Sequence, residues 1–402
     1  MRILLVHDYA PPLGGAEVMN ATMVRGLRRR GHEVRRFCST AAMVDLPAGE
    51  SPPEYECRGT TSRWRTLLQT ANPWAATALQ RAIDEFRPEV VHVRIFLTQL
   101  SPLILPVLRN VPVIYHAVWY RAVCPTGHKL LPGGRHCTSH AGMVCLREGC
   151  LPSHDWVALM AQHAMLQRWR HHIDLTVANS QWTAALLEDG GFPPVTVVPN
   201  GVPIAPQRAA LDGEPAVVYV GRLSREKGVD TLLQAFAAVR AQLPTTTLTI
   251  VGDGPSRTEL EGLCRTLALD GAVRFTGHLP RAEAETIAAS AWVQVVPSRW
   301  AEPFGIVAAE AMMRGTAVVA TDSGGLAELV QPGETGVRVP PGRDDLLAEA
   351  LVRVLADRTN AERLGANGRT VALAQLTDDI FVDRMLDCYA QAQAIHAAGR
   401  VA

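Results

Sequence analysis

Short apolar runs separated by longer stretches of helical periodicity recur along the whole chain. Residues 3–7 form an unbroken apolar run, the pattern of a strand buried on both faces of a sheet. A turn with Pro11, Pro12, Gly14 and Gly15 follows, and then a predicted helix over 16–30 that Gly31 closes. Further strands are predicted at 33–37, 90–93, 111–116 and 175–178, with helices at 66–86 and 156–171 among them. The rhythm restarts after Asn200-Gly201-Val202-Pro203, and a polar segment to Pro215 reads as a linker. Six strands follow, at 216–221, 246–251, 273–275, 292–296, 317–321 and 336–339, with a helix candidate in each gap. Strands that alternate with helices build parallel sheets covered on both faces. The pattern predicts an α/β fold of two doubly wound, Rossmann-like domains, residues 1–203 and 204–375. A terminal amphipathic helix, about 378–396, lies in a segment 376–402 expected to cross back to the first domain.

Composition agrees with two domains. The chain has 402 residues, more than one core usually supports, and is 48% hydrophobic and 19% charged. Lys+Arg and Asp+Glu both number 39, so bulk charge does not point to nucleic acid. Locally, Arg25, Arg28, Arg29, Arg30, Arg35 and Arg36 crowd the first helix. The plain reading is a solvated helix end. The sharper one is a peripheral contact with anionic lipid at the inner face of a membrane, or with a phosphorylated acceptor. No apolar run matches a membrane span and no signal-peptide pattern opens the chain, so the expectation is a cytoplasmic monomer or homodimer.

In a parallel sheet, ligands bind at the carboxyl ends of strands, where helix N-termini present free N–H groups. Four loops of the second domain suit this. Gly221-Arg222 to Lys227-Gly228 places two cations at a helix start, where Arg222 and Lys227 can clamp a diphosphate. Gly252-Asp253-Gly254-Pro255 lacks the third glycine of a dinucleotide fingerprint but permits close backbone approach. Pro297-Ser298 leads to Glu302-Pro303, with Pro303 expected at the first helical position, a helix over 305–313 and Glu310 two turns in. Two carboxylates on one apolar element need bonded partners, and a sugar or ribose supplies hydroxyls. Asp322-Ser323-Gly324-Gly325 is a small-residue turn into another helix.

The ordered set resembles the retaining family-4 glycosyltransferases of the GT-B fold over nearly the whole chain. It comprises Gly14-Gly15, His116, Asn200-Gly201, Gly221-Arg222, Glu226-Lys227-Gly228, Gly252 to Pro255, Gly277, Pro297-Ser298, Glu302, Glu310 and Ser323-Gly324-Gly325. The resemblance implies two domains facing each other across a cleft. It also implies a nucleotide-diphosphate sugar donor, most simply a UDP-sugar, and a small-molecule, lipid-linked or glycan acceptor. Arg222 and Lys227 would bind the diphosphate, Glu310 the ribose, and Glu302 the sugar hydroxyls. The segment Phe304, Gly305, Ile306 and Val307 would offer amides, and Gly14 and Gly15 would approach the phosphates. His116, at the end of its strand, would contact the transferred sugar. Catalysis would rest on His116, Arg222, Lys227 and Glu302, with no cofactor, because cations and helix N-termini stabilise the leaving diphosphate. The carboxylates would then not act as a hydrolase acid and nucleophile. A sugar phosphorylase would need a pyridoxal lysine, for which the chain has no convincing candidate. A nucleotide-sugar epimerase and a non-catalytic nucleotide-sugar-binding protein are the remaining alternatives.

Residues 120–155 interrupt the rhythm as a Cys-rich insertion. Cys124, Cys137, Cys145 and Cys150 have the spacing C-x12-C-x7-C-x4-C, with His128, His136 and His140 among them. Four thiolates suit a structural Zn²⁺, yet the tight C-x-x-C pairs of zinc ribbons are missing. A staple and free thiols are both consistent with this spacing, and the loop is expected to shape acceptor choice.

Overall fold

Residues with no exposed face can only form strands covered on both sides, and the apolar runs do so. The computed structural model describes residues 1–10, 15–41, 52–62 and 64–399. Two units separate, Met1–Gly201 with Asp378–Ala402, and Val202–Thr377. Among the described residues the first holds seven strands: β1 Arg2–His7, β2 Glu33–Ser39, β3 Tyr55–Cys57, β4 Val90–Val93, β5 Val113–Ala117, β6 Leu175–Ala178 and β7 Val195–Val197. They pair in parallel in the order β3-β2-β1-β4-β5-β6-β7. Central β1 lines up Ile3 with Val34 on one side and Val90 on the other, and its residues Ile3 to Val6 are buried.

Two features differ from the sequence expectations, and the arginine cluster acquires partners. The edge strands β3 and β7 are only three residues long, too short for an alternation to register, and short edges are how sheets avoid unwanted pairing. The helix expected over 66–86 is two helices, Arg65–Thr70 and Pro73–Phe86. Asn72 ends the run because its side chain accepts the Ala75 N–H at 3.0 Å and Pro73 occupies the first turn. The arginine cluster is internally compensated. Arg28 pairs with Glu54, Arg29 with Asp379, Arg30 with Asp379 and Asp383, Arg35 with Glu33 and Glu85, and Arg36 with Glu54. Arg25 bonds Thr22.

Two of these arginines hold the last helix, Asp378–Gly399, which belongs to the first unit. Its buried side chains Phe381, Val382, Met385 and Tyr389 cover the helix Gly15–Arg29 and strands β4 to β6. Arg30 reaches Asp383 at 2.7 Å, and the Tyr389 hydroxyl meets His92 Nδ1 at 2.8 Å. The unit boundary falls between Gly201 and Val202 and again between Thr377 and Asp378.

The second unit holds β8 Ala216–Val220, β9 Thr247–Val251, β10 Val273–Gly277, β11 Val293–Val296, β12 Ala317–Thr321 and β13 Gly336–Val339. All pair in parallel, in the order β10-β9-β8-β11-β12-β13. The chain runs outward from β8 to β10, then returns to the far side of β8. That reversal makes the β8–β11 junction the switch point at which ligands enter such sheets. The same reversal occurs between β1 and β4 in the first unit.

The first unit buries three imidazoles without charge. Burial, with help from Arg94, pushes His7 down to about 3. Burial holds His92 and His116 well below the ordinary histidine value. In the unfolded chain these groups bind protons below about pH 6.5, whereas the folded chain resists them. Stability contributed by their neutrality is therefore lost as pH falls through that value, by about 2 kcal/mol per group at pH 5. We expect urea unfolding of the first unit to shift to lower midpoints between pH 7.5 and pH 5. In His116→Leu the shift should be smaller by one group's share.

Candidate functional site at the β8–β11 junction

The loop after β8 carries Gly221, Arg222, the turn Arg225–Lys227 and Gly228, which caps the helix Val229–Gln242. The loop after β11 carries Pro297, Ser298, Glu302 and Gly305, which caps the helix Ile306–Arg314. These loops touch through their backbones. Arg299 N–H donates to the Glu226 carbonyl at 2.8 Å. Gly228 has φ of 67°, and a Cβ there would collide with the Pro297 carbonyl oxygen. Only glycine suits both demands. On the other side, Gly325 N–H donates to the Glu302 carbonyl at 2.7 Å. Gly324 has φ of 60°, and a Cβ there would strike the same carbonyl. The loop after β9 joins in: Gly221 N–H donates to Val251, Leu223 N–H to Asp253, and Gly252 N–H to Gly277 at the end of β10. Gly254 lies against the Leu223 backbone.

The side chains on this frame are charged and specific. Lys227 Nζ lies 2.7 Å from Glu302 Oε1, and Ser298 Oγ donates to the same oxygen at 2.6 Å. Lys227 also sits over the Trp300 ring, 5.0 Å from its centroid. Burial pushes the Glu302 carboxyl upward, but the Lys227 charge and the bonds from Lys227, Ser298 and Trp300 hold it below the usual carboxylate value. Glu302 is therefore a buried, ionised carboxylate. Glu310 lies further along the helix, half-buried, with Arg281 Nη2 at 3.0 Å. Arg222 differs from both. Its carbonyl accepts the Tyr219 hydroxyl at 2.9 Å, while its exposed guanidinium has no partner among the described residues. Pro303 is not in the first helical turn as expected: the helix begins at Ile306 behind the left-handed Gly305. Phe304 is buried beneath that start. The N–H groups of Ile306 and Val307 precede any intrahelical acceptor and remain available.

The loops and helix start at this one junction of the sheet thus carry two cations and two carboxylates. The family model described as Glycosyl transferases group 1 matches residues 203–371, and Glycosyltransferase Family 4 matches residues 13–205. The chain is a family-4 glycosyltransferase of the GT-B fold. Glycogen synthase of Mycobacterium tuberculosis is 29% identical over 396 residues, covering 90% of this chain and 88% of that one. A GDP-mannose-dependent alpha-(1-6)-phosphatidylinositol monomannoside mannosyltransferase of Mycolicibacterium smegmatis is 28% identical, covering 92% and 93%. Among solved structures, a sucrose-phosphate synthase from Thermosynechococcus elongatus aligns with TM-score 0.75 and 26% identity, covering 98% and 99%. HepE of Anabaena, solved with UDP and glucose, aligns with TM-score 0.68 and 21% identity, covering 97% and 99%.

In the first unit of this glycosyltransferase, Gly15 begins the first helix, whereas Gly14 lies outside the described residues. His116 is placed differently from the expectation. β5 continues to Ala117, and the imidazole is wholly buried, 5.4 Å from the His92 ring and 6.0 Å from Phe381. Strand alternation turns it toward the face that the last helix covers, so it presents no surface to a sugar in this structure. Asp8 went unnoticed in the sequence. It directly follows β1 at the other switch point, and its buried carboxylate accepts the N–H groups of Thr98, Gln99 and Leu100 at 2.7 to 2.9 Å. Arg281 and Trp300 also went unnoticed: Arg281 is distant in sequence from Glu310, while Trp300 had the signal of its loop.

Cys124, Cys137, Cys145 and Cys150 are free thiols. Among the described residues no group of three or more His, Cys, Asp or Glu side chains could hold a metal ion. Cys145 instead enters an apolar cluster with Leu151 and Leu159. Two side chains also tie the loop to itself: buried Lys129 donates to the Ser139 carbonyl at 2.9 Å, and Trp156 Nε1 to that of Gly142 at 2.9 Å.

The glycine contacts are testable by contrast. Gly271 also has positive φ, 82°, but open space around it. Gly271→Ala should cost about 1 kcal/mol of backbone strain, whereas Gly228→Ala should cost about 3 kcal/mol or more. Urea midpoints of the two variants measure the difference.

Proposed function

We propose that this glycosyltransferase transfers a sugar, with retention at the anomeric carbon, from a nucleoside diphosphate to a small-molecule, lipid-linked or glycan acceptor. The supporting observation is the convergence of Arg222, Lys227 and the Ile306–Arg314 helix start beside ionised Glu302. Charge develops on the departing diphosphate, Lys227 is held in advance on Glu302, and the helix start offers free N–H groups on the neighbouring loop. Arg222 serves as the unpaired cation. Lys227 shares its ammonium between Glu302 and a phosphate oxygen. Glu302 accepts from sugar hydroxyls, and Glu310 from ribose hydroxyls in place of Arg281. Retention follows if the acceptor attacks from the face the diphosphate leaves, with a phosphate oxygen taking the acceptor's proton.

Uridine is the base we favour, since HepE was solved with UDP. The mannosyltransferase relative, which is GDP-mannose-dependent, makes guanosine the second reading. Incubation with UDP-sugars and GDP-sugars over an acceptor panel decides between them by nucleotide release. The anomeric coupling constant of the product reports retention. Free nucleotide accompanied by an inverted sugar would indicate an epimerase instead, and tight binding without turnover a binding protein.

Arg222→Ala should lower turnover by about 10²–10³-fold with little change in folding, because its guanidinium bonds nothing among the described residues. Lys227→Ala should show the same loss together with reduced stability, since it strands a buried carboxylate. The double variant Lys227→Met/Glu302→Gln should regain stability without activity. Glu310→Ala should weaken nucleotide affinity measured by calorimetry, and an unchanged affinity would remove the ribose role.

A further inference from the structure

The first unit has a second feature unrelated to the donor loops. A cleft of about 810 Å³ opens at the amino-terminal ends of β4 and β5, between the end of the helix Pro73–Phe86 and the turn Pro102–Leu108. Ile83, Pro106 and Val107 give it an apolar floor, and Arg87 and Arg109 stand on its rim. Both arginines are exposed, and neither guanidinium has a partner among the described residues. The one carboxylate of the cleft, Asp84, already accepts from Gln80 at 2.9 Å.

Arg87 occupies its place at a cost. It closes the helix in the left-handed conformation, φ 48° and ψ 60°, directly before Pro88. Glycine is the residue that meets the left-handed demand most cheaply, and a residue before proline is pushed away from helical backbone angles. The Arg87 backbone is used, its N–H by Ile83 and its carbonyl by Arg2 Nε at 2.8 Å, but any residue supplies those groups. What arginine adds is the guanidinium, and no group among the described residues receives it. Strain held without internal return is characteristic of ligand sites.

We infer that this cleft binds a small molecule carrying a phosphate or carboxylate on an apolar body. Arg87 and Arg109 take the anion by paired N–H donors, and the floor takes the body.

Phenyl phosphate and benzoate are the probes, titrated by calorimetry against the full chain, with phenol and inorganic phosphate as half-ligands. We expect saturable binding of at least one probe, at least tenfold tighter than either half-ligand. Arg87→Gly should keep or raise Tm by about 1–3 °C while weakening that binding at least tenfold. Arg109→Gln should weaken it similarly. Phenyl phosphate preferred over benzoate identifies a phosphate ligand, and the reverse a carboxylate. Absence of saturable binding of both probes, or binding that survives both substitutions, overturns the inference.

Discussion

Parallel strands deliver their following loops to one edge, and at the β8–β11 junction those loops are packed backbone against backbone. The buried ion pair of the candidate site depends on that closeness. Lys227 and Glu302 belong to different loops, yet they meet at 2.7 Å because Gly228 allows one loop to lie on the carbonyl of Pro297. Gly324 does the same between the loops after β11 and β12. Gly228, Gly252, Gly254, Gly324 and Gly325 are thus a record of spacing: each marks a place where a side chain would separate two loops that touch.

Such a frame permits an expensive arrangement. A carboxylate taken out of water is costly unless charge and hydrogen bonds compensate it. Glu302 receives Lys227, Ser298 and Trp300, and remains ionised. Its donors are in place beforehand, so little reorganisation is required when a hydroxylated ligand arrives. Glu310 is held more loosely, since Arg281 approaches it from a neighbouring helix at a half-exposed position.

Much of this was legible in the chain itself, for definable reasons. Mostly apolar runs of four to six residues announced the inner strands, and the ordered loop motifs announced the junction. Strands β3 and β7 escaped because three residues carry no period. The break at Asn72-Pro73 had a clear capping signal, which the helical run on either side obscured. The orientation of His116 could not be read, because β5 is buried on both faces and parity then distinguishes nothing. Partners distant in sequence were also beyond reach: the arginines of the first helix look like a free cationic patch until Asp379 and Asp383 arrive from the far end of the chain.

That return of the chain sets an order of events during synthesis. The sheet begun by Arg2–His7 has its outer layer completed by Asp378–Gly399, a helix that leaves the ribosome only after the whole second unit. Residues Val202–Thr377 are available as a whole before that helix exists. Domains fold as units while the chain emerges. The second unit can therefore finish first, while the face of the first sheet bearing His92 and His116 waits uncovered for Phe381 and Tyr389. The first unit is begun earlier and closed later than the second, and a nascent chain truncated before residue 378 would hold a whole second unit and a first unit with an open apolar face.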